Sequence, residues 1–385
     1  MQSIGLNATK YRLVVKLASE ATQPSVARMR PATLLLYIRM VIIMGRKTVM
    51  IRTTNPEKTA KINKNNLQLK DDFLMYLKSV QRSPGTINGY DNDLLIVFTY
   101  IMEELENKDF QKLSKRDIVR IQNWLIEKGN SSARIRRVKS AISSLSNYCE
   151  NILADDDPDF DGYRSVVRKI ENPPLTPVRE KTVLSSEELD ELLDKLVKRK
   201  QYEQACFLAL AMCSGRRKAE LCRFKVSDFD DSKLVFDGAM YKSDPIKTKG
   251  RGGGKMINCY TLAKKFKPYL DLWMAERERL NIQSIWLFPN SNDSTQHIPI
   301  STANSYADTY SRLSGRFLYL HSLRHYTTSE FARAGIPDSV IQKIIAWESA
   351  DMVAVYKDID ADEEIGLYFK DGEISVPDKK NLSDL

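Results

Sequence analysis

The sequence predicts a mainly α-helical protein with a small antiparallel β-sheet, divided into two domains. Across residues 65–152, apolar side chains recur at spacings of three and four, which is typical of amphipathic helices packed as a bundle. An Asp- and Pro-rich stretch interrupts this pattern before a second set of helical patterns begins. Within that second region, short apolar runs flank a glycine-rich turn in residues 233–260, which predicts a hairpin.

A basic segment precedes these domains. The chain has 385 residues and a net charge of +9, and residues 1–54 contain nine Lys or Arg against one acid, Glu20. A basic balance favours a polyanionic partner, although most of the excess lies in this arm. We expect residues 1–64 to form a basic, irregular arm. A mitochondrial transit peptide and a true translation start at Met44 are the alternatives.

The first domain is predicted to be a helical unit over residues 65–152. Helical patterns cover Leu67–Val80, a segment after Ser83-Pro84-Gly85-Thr86, Lys115–Lys128 and Ser132–Ile152. The last of these carries four basic residues that are candidates for contacts with DNA phosphates: Arg134, Arg136, Arg137 and Lys139. A solvated basic face is the alternative interpretation of this run.

Residues 153–182 are predicted to be an exposed linker because they are rich in Asp and Pro. The second domain should cover residues 183–370 and begin with a capping box formed by Ser185 and Glu188. Within it, Ile246–Lys249 and Met256–Tyr260 are expected to pair as one hairpin, and helices should resume at Leu262–Leu280 and after Pro299. Residues 371–385 are expected to form a polar tail.

The cysteine and histidine content disfavours a metal site. The chain has five cysteines, none in a CxxC pair, and three histidines. This usage predicts reduced, mostly buried thiols rather than disulfides or a Cys/His metal centre. The apolar run Leu34–Met44 is too short to cross a bilayer, which requires about 20 apolar residues.

Four features of the second domain carry groups suited to phosphate chemistry. They are Gly215-Arg216-Arg217-Lys218-Ala219-Glu220-Leu221, then Lys247-Thr248-Lys249, then His321-Ser322-Leu323-Arg324-His325, and finally Trp347 with Tyr356 nine residues later. Each one alone has an ordinary structural explanation, such as a basic surface cluster, a solvated turn or core aromatic residues. The four in this order are more specific than any one of them.

The ordered set resembles the catalytic residues of the tyrosine recombinase (phage integrase) family, and the resemblance covers about residues 65–370. It implies a helical, SAM-like core-binding domain followed by a mixed α/β catalytic domain of the recombinase type. Three positions depart from the usual pattern. Trp347 stands where His is common, Arg216 where Leu or Met is frequent, and Ala346 where Gly is usual.

The resemblance also implies roles for individual residues. Arg217 and Arg324 would hold the phosphate, and Tyr356 would be the nucleophile. Lys249 would be the general acid, with Lys247 as the alternative, because the hairpin register is not determined by the sequence. His321 would accept the tyrosine proton or bind phosphate, and Trp347 would donate a hydrogen bond to phosphate. Glu220 and His325 would support the site. No metal or other cofactor is implied.

The function implied is site-specific DNA recombination or integration through a 3′-phosphotyrosine intermediate, for a phage or mobile element. The implied partners are double-stranded DNA at specific sites, three further copies of the chain in a tetramer, and an accessory DNA-bending factor. The implied location is the cytoplasm, at the nucleoid, in a prokaryotic or phage-encoded setting. A type IB topoisomerase and a catalytically inactive DNA-binding derivative are the alternatives.

Overall fold

In the computed structural model, the described residues are 54–175, 184–248, 254–349, 351–356, 369–370 and 373–374. Of the predicted arm at residues 1–64, the part before residue 54 lies outside these ranges, as does most of the predicted tail. Residues 54–64 belong instead to the first unit, because they contain a short helix and bury Ile62 in its core. The first part of the chain is helical: α1 (Pro56–Thr59), α2 (Lys64–Ser79), α3 (Pro84–Glu104), a 3₁₀ turn (Phe110–Lys112), α4 (Lys115–Glu127) and α5 (Ser132–Tyr148).

Helix α3 organises the core of this first unit. Ser83 caps its N-terminus by accepting a hydrogen bond from the Thr86 amide at 3.2 Å, and Pro84 occupies the first helical turn, where its missing N–H is not needed. Its apolar face is then fully buried against α2, α4 and α5. The residues that form this face are Leu94, Val97, Phe98 and Ile101.

The segment after α5 differs from the exposed linker that its composition predicts. Helix α5 continues into a π-helix (Cys149–Leu153), α6 (Ala154–Asp156) and a 3₁₀ turn (Pro158–Phe160). Phe160, Tyr163 and Val167 are buried in the same core as α3. The acidic and proline residues dominate the composition of this stretch, but three well-spaced apolar side chains are sufficient to attach it to the bundle.

The second unit contains α7 (Ser186–Lys198), α8 (Tyr202–Ser214), α9 (Lys218–Leu221), α10 (Ala263–Arg279), α11 (Ile300–Ser314), α12 (Leu320–Arg333), α13 (Asp338–Ile345) and α14 (Asp351–Tyr356). Two 3₁₀ turns, Val226–Phe229 and Asp231–Lys233, precede its strands. The predicted capping box is present, because Ser185 and Glu188 exchange hydrogen bonds at the start of α7. Pro299 immediately precedes α11, as predicted.

The strands are short and antiparallel. They are β1 (Leu234–Val235), β2 (Met240–Lys242), β3 (Ile246–Lys247), β4 (Met256–Ile257), β5 (Tyr260–Leu262), β6 (Pro289–Asn290), β7 (Asp293–His297), β8 (Phe369–Lys370) and β9 (Glu373–Ile374). One sheet has the order β1-β2-β5, and β3-β4, β6-β7 and β8-β9 form separate pairs.

The prediction of one hairpin over residues 246–260 was wrong in its second arm. Only Met256 and Ile257 pair with β3, whereas Tyr260 belongs to β5 and pairs with β2. The change of partner occurs at Ser243, whose hydroxyl accepts a hydrogen bond from the buried Cys259 amide at 2.9 Å. Residues 249–253 lie outside the described ranges.

Helix α8 lies at the centre of the second unit, packed against α7, α10 and α12. It is buried on nearly all sides from Ala205 to Ser214, which agrees with its almost uninterrupted apolar sequence. The five cysteines are free and buried, as predicted. The predicted fold class, mainly α with small antiparallel sheets, is confirmed. Within the described ranges, no helix combines the length and apolar character needed to span a membrane.

Candidate active site

The end of α8 creates the bend that carries the first arginine of the predicted set. Gly215 terminates the helix with φ 58° and ψ 25°, a left-handed conformation that glycine adopts without steric cost. A Cβ added here would lie 2.6 Å from Cδ1 of Ile345, at the end of α13. Glycine therefore permits both the turn and the close approach of α13.

Arg217 is the residue that precedes α9, and it pairs with Glu220 one turn later. Its backbone N–H donates to Glu220 Oε2 at 3.2 Å, and its Nη1 donates to Glu220 Oε1 at 3.1 Å. Burial alone would raise the pKa of Glu220, but a hydrogen bond from Thr248 and the charges of Arg216 and Arg217 hold it below its ordinary value. Glu220 is therefore an ionised carboxylate that orients the Arg217 guanidinium.

Arg217 and Glu220 lie on the wall of a cavity of about 1120 Å³ between the two units. The first unit contributes the turn at residues 81–85, and the second contributes α9, α11 and the segment that enters α12. The wall thus brings together four members of the predicted set, from three separate parts of the chain: Arg217, Glu220, Lys247 and His321.

His321 lies in the first turn of α12 and faces this cavity. More than a third of its surface is exposed, yet the cavity walls partly desolvate the imidazole. Desolvation, followed by the charges of His325, Arg324 and Arg217, lowers the pKa of His321 to about 4. The imidazole is therefore neutral near neutral pH, which is the form able to accept a proton. The buried ring of His325 packs edge-on against it, with 5.8 Å between centroids.

Arg324 lies behind the cavity wall and does not line it. Its side chain is fully buried. Nη1 donates to the Gly215 carbonyl at 3.0 Å, Nη2 donates to the Ile345 carbonyl at 3.3 Å, and the guanidinium stacks over the buried Trp347 ring at 4.8 Å. Arg324 consequently joins the bend before Arg217 to the segment that leads into α14.

The remaining predicted residues lie at the edge of what the structure describes. Tyr356 is the last residue of α14, and the structure describes its backbone but not its side chain. Lys247 closes β3 and lines the cavity, and its carbonyl accepts a hydrogen bond from Arg223 Nη1 at 2.6 Å. Lys249 lies outside the described residues. The choice between Lys249 and Lys247 as general acid therefore stays a prediction.

Two family sequence models match the chain. The model described as the phage integrase family matches residues 182–363, and the one described as the phage integrase N-terminal SAM-like domain matches residues 71–150. Together they cover more than half of the chain. This chain belongs to the phage integrase family. The family is that of the tyrosine recombinases, an enzyme class that breaks and rejoins DNA strands.

Curated relatives carry recombinase names. The SPbeta prophage-derived recombinase-like protein YomM of Bacillus subtilis (strain 168) is 33% identical over 193 residues, which are 50% of this chain and 57% of that protein. The chain thus matches a little over half of that relative's length. The tyrosine recombinase XerC of Corynebacterium glutamicum is 22% identical over 299 residues, covering 75% of this chain and 86% of the relative.

Solved structures of phage integrase family members share the fold. A XerH site-specific recombinase bound to a palindromic difH substrate aligns with a TM-score of 0.59 at 18% identity, covering 87% of this chain and 96% of that one. A lambda integrase tetramer bound to a Holliday junction aligns with a TM-score of 0.56 at 15% identity, covering 86% of this chain and 88% of that one.

The basic face predicted on α5 is occupied by contacts within the chain. Arg134 and Arg137 both pair with the buried carboxylate of Asp93, and the Arg137 Nε–Oδ2 distance is 2.8 Å. Arg136 donates to the Pro173 carbonyl through Nε at 3.0 Å and Nη2 at 2.9 Å. Lys139 donates to the carbonyls at positions 170 and 171. Each residue thus has a structural role, and their binding to DNA stays a prediction.

The sequence did not identify two residues that interact with Glu220. The hydroxyl of Thr248 hydrogen-bonds to Glu220, but the sequence shows Thr248 only as the residue between two lysines, and nothing in the pattern marks it as part of the site. Arg216 does have a signal, because it is a cation at a position where the family resemblance implies Leu or Met. The structure buries it, with 1% of its surface exposed.

Proposed function

We propose that this chain is a site-specific DNA recombinase or integrase of a phage or mobile element, with Tyr356 as its nucleophile. The observation that supports this most is the shared cavity, where the Arg217–Glu220 pair and His321 face the same space. Behind that wall, Arg324 joins the bend before Arg217 to the segment preceding Tyr356.

The charge distribution suits attack on a phosphodiester. The reaction develops negative charge on the non-bridging oxygens, which prepositioned cations stabilise. Arg217 is oriented by Glu220 and is 38% exposed, so its guanidinium can reach a phosphate in the cavity. The imidazole of His321 is a further donor for the same phosphate. The indole N–H of Trp347 would join it only if the segment around Trp347 moves, because Trp347 is buried and does not line the cavity.

The proposed step exchanges one phosphoester for another. The Tyr356 phenol oxygen attacks phosphorus while its proton passes to neutral His321, and the bond to the 5′ oxygen breaks as Lys249 or Lys247 protonates that oxygen. The products are a 3′-phosphotyrosine and a free 5′-hydroxyl. Attack by the 5′-hydroxyl of a partner strand reverses the step, so the phosphoester bond energy is kept throughout.

The burial of Arg324 sets a condition on this mechanism. Its guanidinium is fully enclosed, with Trp347 stacked on it. Direct contact with phosphate would require the segment around Ala346 and Trp347 to move when DNA binds. Without such movement Arg324 would act by positioning, as the link between the Gly215 bend and α13.

The test uses nicked suicide duplexes, in which cleavage releases a short strand and traps the enzyme on DNA. A pool with randomised sequence around the nick is incubated with the chain, and the covalently retained DNA is sequenced to define a substrate. We expect a covalent adduct on a denaturing gel that is lost in Tyr356→Phe and retained in Tyr260→Phe. Tyr260 is the control because it lies in β5, outside the cavity. Persistence of the adduct in Tyr356→Phe would exclude this nucleophile.

The alternatives predict different outcomes in the same system. A type IB topoisomerase would relax supercoiled plasmid that lacks the selected sequence, whereas a recombinase should relax it poorly. A catalytically inactive derivative would bind the selected duplex and form no adduct.

The general acid can be assigned by replacing the bridging 5′ oxygen of the substrate with sulfur. A thiolate leaves without protonation, because thiols are far more acidic than alcohols. We expect Lys249→Ala to be slow on the oxygen substrate and restored on the sulfur substrate, with Lys247→Ala changing both similarly. The reverse pattern would assign the role to Lys247.

The assembly proposal rests on likeness to the lambda integrase tetramer. We propose that four copies act on two sites, with residues 65–152 and 183–370 enclosing duplex DNA and the segment before residue 54 forming an additional arm. An accessory DNA-bending factor is a further proposed partner. Sedimentation of the chain with a synthetic four-way junction of the selected sequence tests the fourfold stoichiometry, and a maximum of two copies would contradict it.

A further inference from the structure

Arg216 is a buried cation that no step of the proposed reaction uses. It is 1% exposed and is among the largest fully buried side chains of the described residues. Its Nη2 donates to the Ile344 carbonyl, near the end of α13. Within the described part of the chain, its Nε and Nη1 have no hydrogen-bond partner.

Arg216 and Arg324 converge on the same helix end from two different elements. Arg216 follows the Gly215 bend and reaches the Ile344 carbonyl, while Arg324 projects from α12 and reaches the Ile345 carbonyl. The last carbonyls of a helix lack intrahelical partners and carry partial negative charge, so two guanidinium groups are well suited to this position. Ala346 and Trp347 come directly after this anchored end.

The charge of Arg216 also acts on Glu220, the carboxylate that orients Arg217. Arg216 is one of the cations that hold the pKa of Glu220 below its ordinary value. The Glu220 carboxylate accepts hydrogen bonds from Arg217 and Thr248, and the charge of Arg216 and the Cys259 thiol are close enough to act on it electrostatically. Lys247 and His321 line the cavity beside it. Arg216 thus binds the end of α13 directly and acts on Glu220 through its charge, without lining the cavity.

Stability alone does not account for a cation in this place. Burying a guanidinium costs several kcal/mol of desolvation, which one carbonyl and a nearby carboxylate offset only in part. A well-packed apolar side chain of similar volume is often neutral or stabilising at such a position. The burial of Arg216 is therefore better explained by what it holds in place.

We propose that Arg216 is a positioning residue for strand cleavage, tying the bend that carries Arg217 to the end of α13 and so setting the placement of Trp347 and α14. This inference rests on the proposed function. Because α14 ends at Tyr356, the same contact relates the phosphate-binding arginine to the nucleophile's helix.

The experiment measures single-turnover adduct formation by the full-length chain on the selected suicide duplex, at saturating DNA and across a range of pH. Arg216→Met removes the charge at similar volume, and Arg216→Lys keeps it. Arg279→Met is the matched control, because Arg279 pairs with Glu276 at the same i,i+3 spacing as Arg217 with Glu220 but is 67% exposed and does not line the cavity.

We expect Arg216→Met to bind the duplex as tightly as the parent chain but to form adduct about 10-fold to 100-fold more slowly, as misplacement of reacting groups by about 1 Å can do. The acid limb of its rate profile, where the rate falls as the pH drops, should move to higher pH. Glu220 loses a neighbouring cation in this variant, so its pKa rises. Arg216→Lys should keep the parent acid limb and recover part of the rate. Arg279→Met should match the parent chain.

Parent rate and acid limb in a folded Arg216→Met variant would overturn the inference. If Arg216→Met does not fold, Arg216→Lys decides alone: a slowed rate with an unchanged acid limb supports the inference, and a parent rate overturns it. Absence of an adduct with the parent chain would instead refute the proposed function, and this inference with it.

Discussion

Ala346 provides a direct test of the geometry around the site, because it holds a backbone conformation that suits glycine. It follows α13 with φ 54° and ψ 58°, in the left-handed region. There the Cβ of an L-residue approaches the following carbonyl oxygen, at a cost of about 1–2 kcal/mol. We therefore expect Ala346→Gly to stabilise the folded chain.

The expected gain is the strain relieved minus the extra freedom that glycine has when unfolded. That freedom offsets about 0.4–1 kcal/mol, so the free energy of unfolding should rise by up to about 1.6 kcal/mol, with a central value of about 0.8 kcal/mol. For a cooperative unit of about 150–250 residues this corresponds to a Tm increase of about 1–4 °C. Urea unfolding followed by circular dichroism measures the change in free energy, and a thermal scan measures the Tm.

Ala334 is the matched control. It occupies the equivalent position after α12 but with φ −75° and ψ 2°, a conformation that alanine adopts without strain. Ala334→Gly should therefore lower the free energy of unfolding by about 0.4–1 kcal/mol. A loss of stability in Ala346→Gly equal to that in Ala334→Gly would refute the strain argument, since the two positions would then respond as ordinary helix ends.

Three further outcomes are expected. Gly215→Ala should lower the free energy of unfolding by about 2–4 kcal/mol, because its Cβ would lie 2.6 Å from Ile345 in a left-handed backbone. Urea unfolding measures this change, and a neutral result would contradict the described bend. Asp93→Ala should lower the free energy of unfolding by about 1–3 kcal/mol in the same assay, because the buried carboxylate pairs with two half-exposed arginines. A change near zero would show that these ion pairs contribute nothing to stability. The folded pKa of His321 lies below its unfolded value, so the unfolded chain binds more protons between about pH 6.5 and 4, and stability should fall as pH drops through that window. His321→Gln should flatten this fall relative to a His297→Gln control, and an unchanged slope would contradict the lowered pKa.

The sequence was most informative where local rules decide structure. Helices α2, α4 and α10 begin and end within a few residues of their predicted limits, because each has an apolar stripe and clear end signals. The capping box at Ser185 was predicted for the same reason. The hairpin was predicted less well, since the place of Tyr260 in β5 depends on pairing with β2, a strand outside the predicted hairpin.

The candidate site shows the same division. Residue types and order identified Arg217, Glu220, His321 and Lys247, which the structure places on one cavity wall. Burial of individual cations was not predictable in this way. Arg134 and Arg137 share Asp93, about 40 residues earlier in the chain, and that pairing exists only once α3 and α5 pack together.

By itself, the sequence determined the fold class, the family resemblance and the order of the chemical groups, because these follow from local periodicity and from residue type at fixed spacing. The tertiary structure alone decided which cations face the cavity and which serve the scaffold. Arg217 lines the cavity while its neighbour Arg216 and the distant Arg324 are buried against the end of α13. Adjacent residues at a bend point in different directions, so their environments depend on elements that join them only in the folded chain.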